Sequence, residues 1–301
     1  MKLSIIWQLT GTADKDQKTF ACLKKQAADM GKSVQILIYG QNVGNAYSND
    51  LAEGGREVSA IDTDTIEKDS NIFEDAKKRV SGDYVTFLKG GDIWSDGALK
   101  ILKKEISKRS NPEMIMMKKL MPDGKVGAFG DDIAGRKIVD QVLRKSYYCY
   151  PYYFGGTVIS IKGFRSYKFK NELGLEMERS FFLHLCATKK KILFLGGIKY
   201  KSATYYETNK AAYKGQEMPE WYERSFAMFW LPFLEEMKRK YGQVPVFIQY
   251  HLMFTIKNHI MATYNGKCPQ GITEEMEQKC IAQIKKAIKY VNADVLFNCH
   301  N

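Results

Sequence analysis

The sequence predicts an α/β fold with a mostly parallel sheet flanked by helices, followed by a C-terminal helical extension. Short apolar, β-branched runs alternate with helical spacings through the first hundred residues. Turn residues such as Ser81-Gly82 separate these runs. Strands that alternate with helices of this length favour parallel pairing through right-handed crossovers. From about Pro219 the sequence is instead largely helical, with bulky apolar side chains.

Each element of the first half has its own signal. A buried strand is predicted at 3–7, and further strands are predicted at 34–39, 56–61 and 83–88. Phe20, Leu23 and Ala27 have the spacing of a helix, which Gly31 ends. Two further helices are predicted at 65–80 and 95–102.

The second half is less regular but still patterned. Strands are predicted at 114–118 and 192–195, and another follows the aromatic, glycine-rich stretch 151–160. Helices are predicted at 132–145, 176–186, 246–263 and 273–291. The polar, weakly patterned stretch 206–216 predicts the division between a domain of residues 1–210 and a helical extension of residues 211–301.

Composition and charge restrict the class of protein. The chain has 301 residues and a net charge of +12, which favours anionic partners such as a phosphorylated polymer or the inner face of a membrane. The six cysteines are scattered without a C-x-x-C pair, so they predict reduced thiols. No apolar run is long enough for a signal peptide or a membrane span, which predicts a cytoplasmic protein. No nucleic-acid motif is present and the basic residues are dispersed, so nucleic acid is not an expected partner, although nucleic-acid binding stays an alternative that rests on charge alone.

In parallel sheets, ligands bind at the carboxyl ends of the strands. This rule points to residues 8–12, 39–44 and 89–94, which follow three of the predicted strands.

Several motifs together carry a family resemblance. Ser81 to Leu88 is followed by Lys89-Gly90-Gly91-Asp92, by Trp94-Ser95 and by Ala98-Leu99. Further on come Phe169 to Leu173, Glu176-Met177-Glu178 and Phe181, and the tail contains Trp221-Tyr222, Val244-Pro245 and Gln249-Tyr250. In order and spacing the chain resembles family 2 glycosyltransferases of the GT-A fold, and its tail resembles bacterial enzymes that build teichoic-acid-like or capsular polymers.

The resemblance implies a function and its partners. Residues 1–210 would form a GT-A-like nucleotide-sugar transferase domain, which moves a sugar from a nucleotide diphosphate-sugar to a cell-surface polysaccharide or phosphate-bearing polymer, with inversion. The residues implied in nucleotide-sugar binding are Gln8, Gln41, Lys89, Asp92 and Trp94. The alternative is a catalytically degenerate module of the same fold that binds polymer or a partner domain.

The chain departs from the family pattern at its acidic positions. The family's Asp-x-Asp, which holds ribose and a divalent metal, falls on Lys89, Gly90 and Gly91, and only Asp92 of the cluster remains. Mn²⁺ or Mg²⁺ would therefore have Asp92 as its one carboxylate, a poor site for a hard cation. Lys89 suggests that an ammonium takes the place of the metal. The alternative for Lys89 is a solvent-facing residue in a domain that has lost catalysis. The alternative for Asp92 is a residue that caps a turn or a helix start.

The second family motif places a general base on Glu176-Met177-Glu178. Glu178 occupies the family's base position, where aspartate is usual, and Glu176 is the second candidate. If the segment is helical, two residues this close in sequence point to different faces, so only one carboxylate faces the cleft. The alternative for Glu178 is a carboxylate stabilised by the dipole at a helix start.

Overall fold

The computed structural model describes residues 1–43, 47–109, 112–125, 139–142, 153–188, 191–203, 218–264 and 271–298. Contacts divide the chain into two compact units. Unit 1 contains residues 1–141, 153–171 and 191–208, and unit 2 contains residues 142–152, 172–190 and 209–301. The sequence boundary at residue 210 stays a prediction.

Unit 1 carries the strands. They are β1 Leu3–Gln8, β2 Val34–Gly40, β3 Glu57–Asp62, β4 Tyr84–Lys89, β5 Ile93–Trp94, β6 Met114–Leu120, β7 Val139–Val142, β8 Thr157–Ser160 and β9 Lys191–Lys201. Its helices are α1 Ala13–Ala28, α2 Ser48–Ala52, α3 Ile72–Arg79, α4 Ala98–Ser107 and α5 Ile161–Arg165. Unit 1 is therefore an α/β body.

Apart from Val142, the last residue of β7, the regular elements in the described part of unit 2 are helical. Its elements are α6 Met177–Thr188, α7 Pro219–Arg224, a π-helix Ser225–Trp230, α8 Leu231–Tyr241, α9 Val246–Tyr264, α10 Glu274–Ile288 and α11 Ala293–Asn298. None of the described helices is long and apolar enough to cross a membrane.

The strands pair in one mixed sheet. Among the described residues the order is β3-β2-β1-β4-β8-β6-β9-β5, and β7 also pairs with β9. The pairs among β3, β2, β1 and β4 are parallel, whereas β8 is antiparallel to both neighbours and β5 is antiparallel to β9. Strands β1, β2 and β4 are buried along almost their whole length, as expected where helices cover both faces.

The structure confirms the α/β class and corrects some elements. The helix predicted at 65–80 is wrong in its first turns: α3 begins at Ile72, because the Asn71 side chain accepts hydrogen bonds from the N–H groups of Phe73 and Glu74 and caps the helix. The helix predicted at 95–102 begins at Ala98 as α4 rather than at residue 95. It follows Gly97, whose backbone lies in the left-handed region at φ 69°.

Two other corrections come from sheet pairing. The helix predicted at 132–145 is wrong at Val139–Val142, which form strand β7 against β9, and the rest of that range lies outside the described residues. The strand predicted at 192–195 extends over Lys191–Lys201, because it pairs with β6, β7 and β5. In both places contacts distant in sequence override the local pattern.

Candidate functional site

The carboxyl ends of β1, β2 and β4 lie side by side in unit 1. In the parallel register, Gln8 pairs with Tyr39 of β2 on one side and with Lys89 of β4 on the other. Gln8 and Lys89 are both half-buried. The structure therefore brings two of the sequence-predicted binding residues together at one edge of the sheet.

The turn that follows β4 is held by the carboxylate of Asp92, which is 1% exposed. Its Oδ2 accepts hydrogen bonds from the Lys89 N–H at 2.8 Å and from the Tyr200 hydroxyl at 2.5 Å. Its Oδ1 accepts from the Ala203 N–H at 2.9 Å. Both oxygens are thus engaged by protein donors that link the turn to the end of β9 and the residues after it.

Helix α1 also contacts the turn that follows β4. The buried Thr19 hydroxyl donates to the carbonyl oxygens of Lys89 and Asp92, at 3.1 and 2.9 Å, and accepts from the Gly91 N–H at 2.8 Å. Asp16, also buried, accepts from the N–H and the hydroxyl of Thr10. Thr19 of α1 therefore holds the backbone of the turn after β4, and Asp16 holds Thr10 just after the end of β1; neither side chain was singled out from the sequence.

The two glycines of the turn fit where larger residues do not. A Cβ on Gly90 would lie 1.8 Å from Asp16 Oδ1, far inside van der Waals contact. Gly91 has φ of 95°, and its Cβ would lie 2.7 Å from that of Ala203. An aspartate at position 91, where the family motif has its second metal-binding residue, would require both the turn and its neighbours to move.

The residues of this turn do not fit a divalent cation. Protein donors already occupy both oxygens of the Asp92 carboxylate, and no three His, Cys, Asp or Glu side chains in the described part of the chain are grouped to hold a metal. We derive no role for a metal ion in this chain.

The other two predicted binding residues lie in different surroundings. Gln41, exposed after β2, donates from Nε2 to Asp64 Oδ1 at 3.3 Å. Trp94 is 3% exposed in the edge strand β5, and its backbone N–H donates to the Cys22 sulfur at 3.3 Å. Gln41 is thus accessible at the carboxyl edge, whereas Trp94 is packed into the sheet edge.

The two candidate bases belong to unit 2. Glu176, 3% exposed, forms an ion pair with Arg179 at 3.1 Å between Oε2 and Nη1, and its Oε1 accepts from Ser225 Oγ at 2.8 Å. Arg179 is 1% exposed and also donates to Thr255 Oγ1. Glu178 lies in the first turn of α6 and is half-buried. The neighbouring carboxylates therefore differ: the pair of Glu176 and Arg179 joins α6, the π-helix and α9, and Glu178 is the more accessible carboxylate.

A cavity of about 290 Å³ lies in unit 2 beside this ion pair. Its lining includes Glu176, Trp221, Arg224 and Phe229. Part of that wall is the π-helix Ser225–Trp230, a distortion that occurs often at functional sites. Glu176 is thus placed at the wall of a cavity, with its charge already paired.

Comparison with solved structures gives the same topology over nearly the whole chain. TarS from S. aureus superposes with a TM-score of 0.63 at 16% identity, over 98% of this chain and 50% of that one. The fold is GT-A-like. TarS 1–349 in complex with UDP-GlcNAc gives 0.61 at 16% identity, with coverage of 98% and 83%. The mannosyltransferase PcManGT from Pyrobaculum calidifontis, in complex with GDP-Man and Mn²⁺, gives 0.54 at 9% identity, with coverage of 98% and 77%.

These likenesses establish the GT-A-like fold alone, because the sequences have diverged so far. The chain spans half the length of the longer TarS structure. No protein-family model matches the sequence, and no curated protein is significantly similar to it.

Proposed function

We propose that the chain transfers a sugar from a nucleoside diphosphate-sugar to a polysaccharide or phosphate-bearing polymer of the cell surface, with inversion at the sugar. The observation that supports it most is the GT-A-like fold with Gln8 and Lys89 adjacent at the carboxyl edge of its parallel strands. Solved structures of the same fold hold UDP-GlcNAc or GDP-Man, and the net charge of +12 suits an acceptor that carries phosphate.

The reaction requires a positive group beside the departing diphosphate. As the bond between sugar and diphosphate breaks, negative charge grows on the diphosphate and must be stabilised. We assign this task to the Lys89 ammonium, since the turn that carries it does not fit a divalent cation. The fixed turn holds the lysine at the end of β4 without relying on a metal for its position.

The acceptor hydroxyl must lose a proton as it attacks the sugar. We assign Glu178 as the general base, because the carboxylate of Glu176 is buried against Arg179 and is committed to that ion pair. Glu176 then acts as a positioning residue for the start of α6. Glu178→Gln is expected to abolish transfer and leave nucleotide binding intact, whereas Glu176→Gln is expected to lower stability.

Calorimetric titration with UDP, GDP and CDP, each with Mn²⁺ and with EDTA, tests the proposal. We expect one of these nucleotides to bind equally well in both conditions and Lys89→Ala to weaken it at least tenfold. The matched control is Lys103→Ala, which removes an equal charge from an exposed position on α4. Binding that appears only with Mn²⁺ would contradict the role given to Lys89.

The second candidate is a non-catalytic module of the same fold that binds polymer or a partner domain. It is favoured by the Asp92 carboxylate, whose oxygens are both used within the protein, and by the two glycines that exclude acidic side chains. If no nucleotide binds in any condition, sugar transfer is overturned and this second function is supported.

A further inference from the structure

Unit 1 contains a basic groove that the proposed chemistry does not use. We define the α1 groove by Lys15, Lys18 and Lys25 of α1 and by Gly91, Lys201 and Ser202 on its other side, around a cavity of about 720 Å³. We propose that the α1 groove is the docking site of a phosphate-bearing, non-aromatic polymer, such as a polyol-phosphate chain. As an acceptor site it rests on the proposed function, and as a polymer-binding site it can be tested separately.

The lysines of α1 form one stripe. Residues 15, 18 and 25 lie within about 80° of each other around a helix of 3.6 residues per turn, and the stripe is about 15 Å long at 1.5 Å per residue. Such a row suits an extended polyanion better than a single small anion.

The charge of the α1 groove is strongly one-sided. Asp96 is the acidic residue in the described lining of the groove, and its carboxylate pairs with the Lys25 ammonium at 2.8 Å. Lys15, Lys18 and Lys201 have no ion-pair partner within the described ranges. Three uncompensated ammonium groups around one concave surface attract phosphate and release counterions when it binds.

The position of the α1 groove relates it to the proposed donor site. Gly91 lines the groove and belongs to the turn whose first residue is Lys89. Ala203, also in the lining, donates to the Asp92 carboxylate that closes the same turn. A polymer in the α1 groove would therefore run beside the turn that presents Lys89.

The lining favours a polyol-phosphate polymer over single-stranded nucleic acid. Proteins that bind single strands stack bases on accessible aromatic rings. Trp94 is the aromatic residue of the described groove lining, and it is 3% exposed. The α1 groove thus offers charge without a stacking surface.

The test is binding of a glycerol-phosphate oligomer to the whole chain, measured against salt concentration. Lys15→Gln/Lys18→Gln/Lys201→Gln should weaken binding more than tenfold and reduce the slope of log K against log salt by about 2, as for three phosphate contacts to a single strand. The control Lys100→Gln/Lys103→Gln/Lys104→Gln removes the same charge from exposed positions of α4 and should leave binding unchanged.

Three outcomes would overturn the proposal: equal weakening by both triple variants, equal binding of neutral dextran, or equally tight binding of an oligothymidylate with the same number of phosphates. The last would indicate a nucleic-acid site. UDP titration of the groove variant separates the two proposals. Polymer binding that is lost in the groove variant supports the docking site whether or not UDP binds, and absence of UDP binding overturns only sugar transfer.

Discussion

The turn after β4 in unit 1 and the start of α6 in unit 2 both bury a carboxylate, but they stabilise it differently. Asp92 accepts from two backbone N–H groups and from the Tyr200 hydroxyl, so fixed dipoles surround it. Glu176 lies against the Arg179 guanidinium and accepts from Ser225. The first arrangement shares its stabilisation among several donors, whereas the second depends chiefly on one charge.

This difference matters for how each region tolerates change. Removing one donor from a carboxylate that keeps others costs the free energy of one charge-assisted hydrogen bond. Removing the only cation from a buried pair leaves an uncompensated charge, which costs considerably more. The turn that carries Lys89 should therefore be robust, and the start of α6 should be sensitive.

The largest effect is expected from Arg179→Met. It leaves the Glu176 charge buried without its cation and should lower the free energy of unfolding by about 4 kcal/mol. Urea denaturation measures the loss. In Glu176→Gln/Arg179→Met the buried charge is gone, so most of the stability should return. A double variant as unstable as the single one would show that the guanidinium acts by packing.

The second effect concerns pH. Burial lowers the pKa of His259 to about 4, with a smaller contribution from the nearby Arg179 charge. Between about pH 6.5 and 4 the unfolded chain binds a proton that the folded chain does not, so the contribution of neutral His259 is complete above pH 6.5 and is lost as the pH falls. The loss approaches about 3 kcal/mol.

The check is the pH dependence of unfolding in His259→Phe, which cannot titrate and keeps a ring to stack on Trp221, 3.5 Å from His259 between ring centroids. The difference in unfolding free energy between the wild type and this variant should change between pH 7 and pH 4.5. Parallel curves would show that His259 binds its proton equally well in the folded and in the unfolded chain.

The third effect is expected in the β4 turn. Gly90→Ala places a methyl group 1.8 Å from Asp16 Oδ1 and should lower stability by 2–3 kcal/mol, roughly the cost of overpacking. The control is Gly197→Ala in β9, where a Cβ meets nothing within 4 Å. Thermal unfolding of the two variants compares them. If they are equally stable, the close approach of Asp16 to the turn is not present in solution.

The smallest effect is expected from Tyr200→Phe, which removes one of several donors to Asp92. Because the backbone donors of Lys89 and Ala203 remain, the loss should be about 1.5 kcal/mol, and metal-independent nucleotide binding should persist. Urea denaturation and UDP titration of the same sample measure both. A loss as large as that of Arg179→Met would remove the distinction between the two regions.

Local sequence patterns predicted much of the fold. The runs that form β1, β2 and β4 are apolar and bounded by turns, and they predicted a sheet whose strand ends meet near Lys89. Asn71 also carried a usable signal, since a residue of its type before Phe73 and Glu74 indicates a helix start. By contrast, Val139–Val142 fit a helical pattern and became a strand through pairing with β9.

The supports of the β4 turn had no comparable signal. Thr19 and Tyr200 are distant from Asp92 in sequence, and neither belongs to a motif. Asp16 stands between two exposed residues of α1, and only the packing of the helix on the sheet buries it against Thr10 and Gly90. Such contacts follow from how α1 and β9 pack on the sheet, which one sequence does not specify residue by residue.

By itself, the sequence determined the α/β class, the edge of the sheet where a ligand is expected and the net charge of +12. These follow from periodicity, spacing and composition, which are local properties of the chain. Only the tertiary structure decided that Asp92 is committed to protein donors, that Glu176 is paired with Arg179, and that the lysines of α1 share a groove with Lys201. Those outcomes depend on which distant residues meet, because a carboxylate or an ammonium takes its role from the partners that packing brings to it.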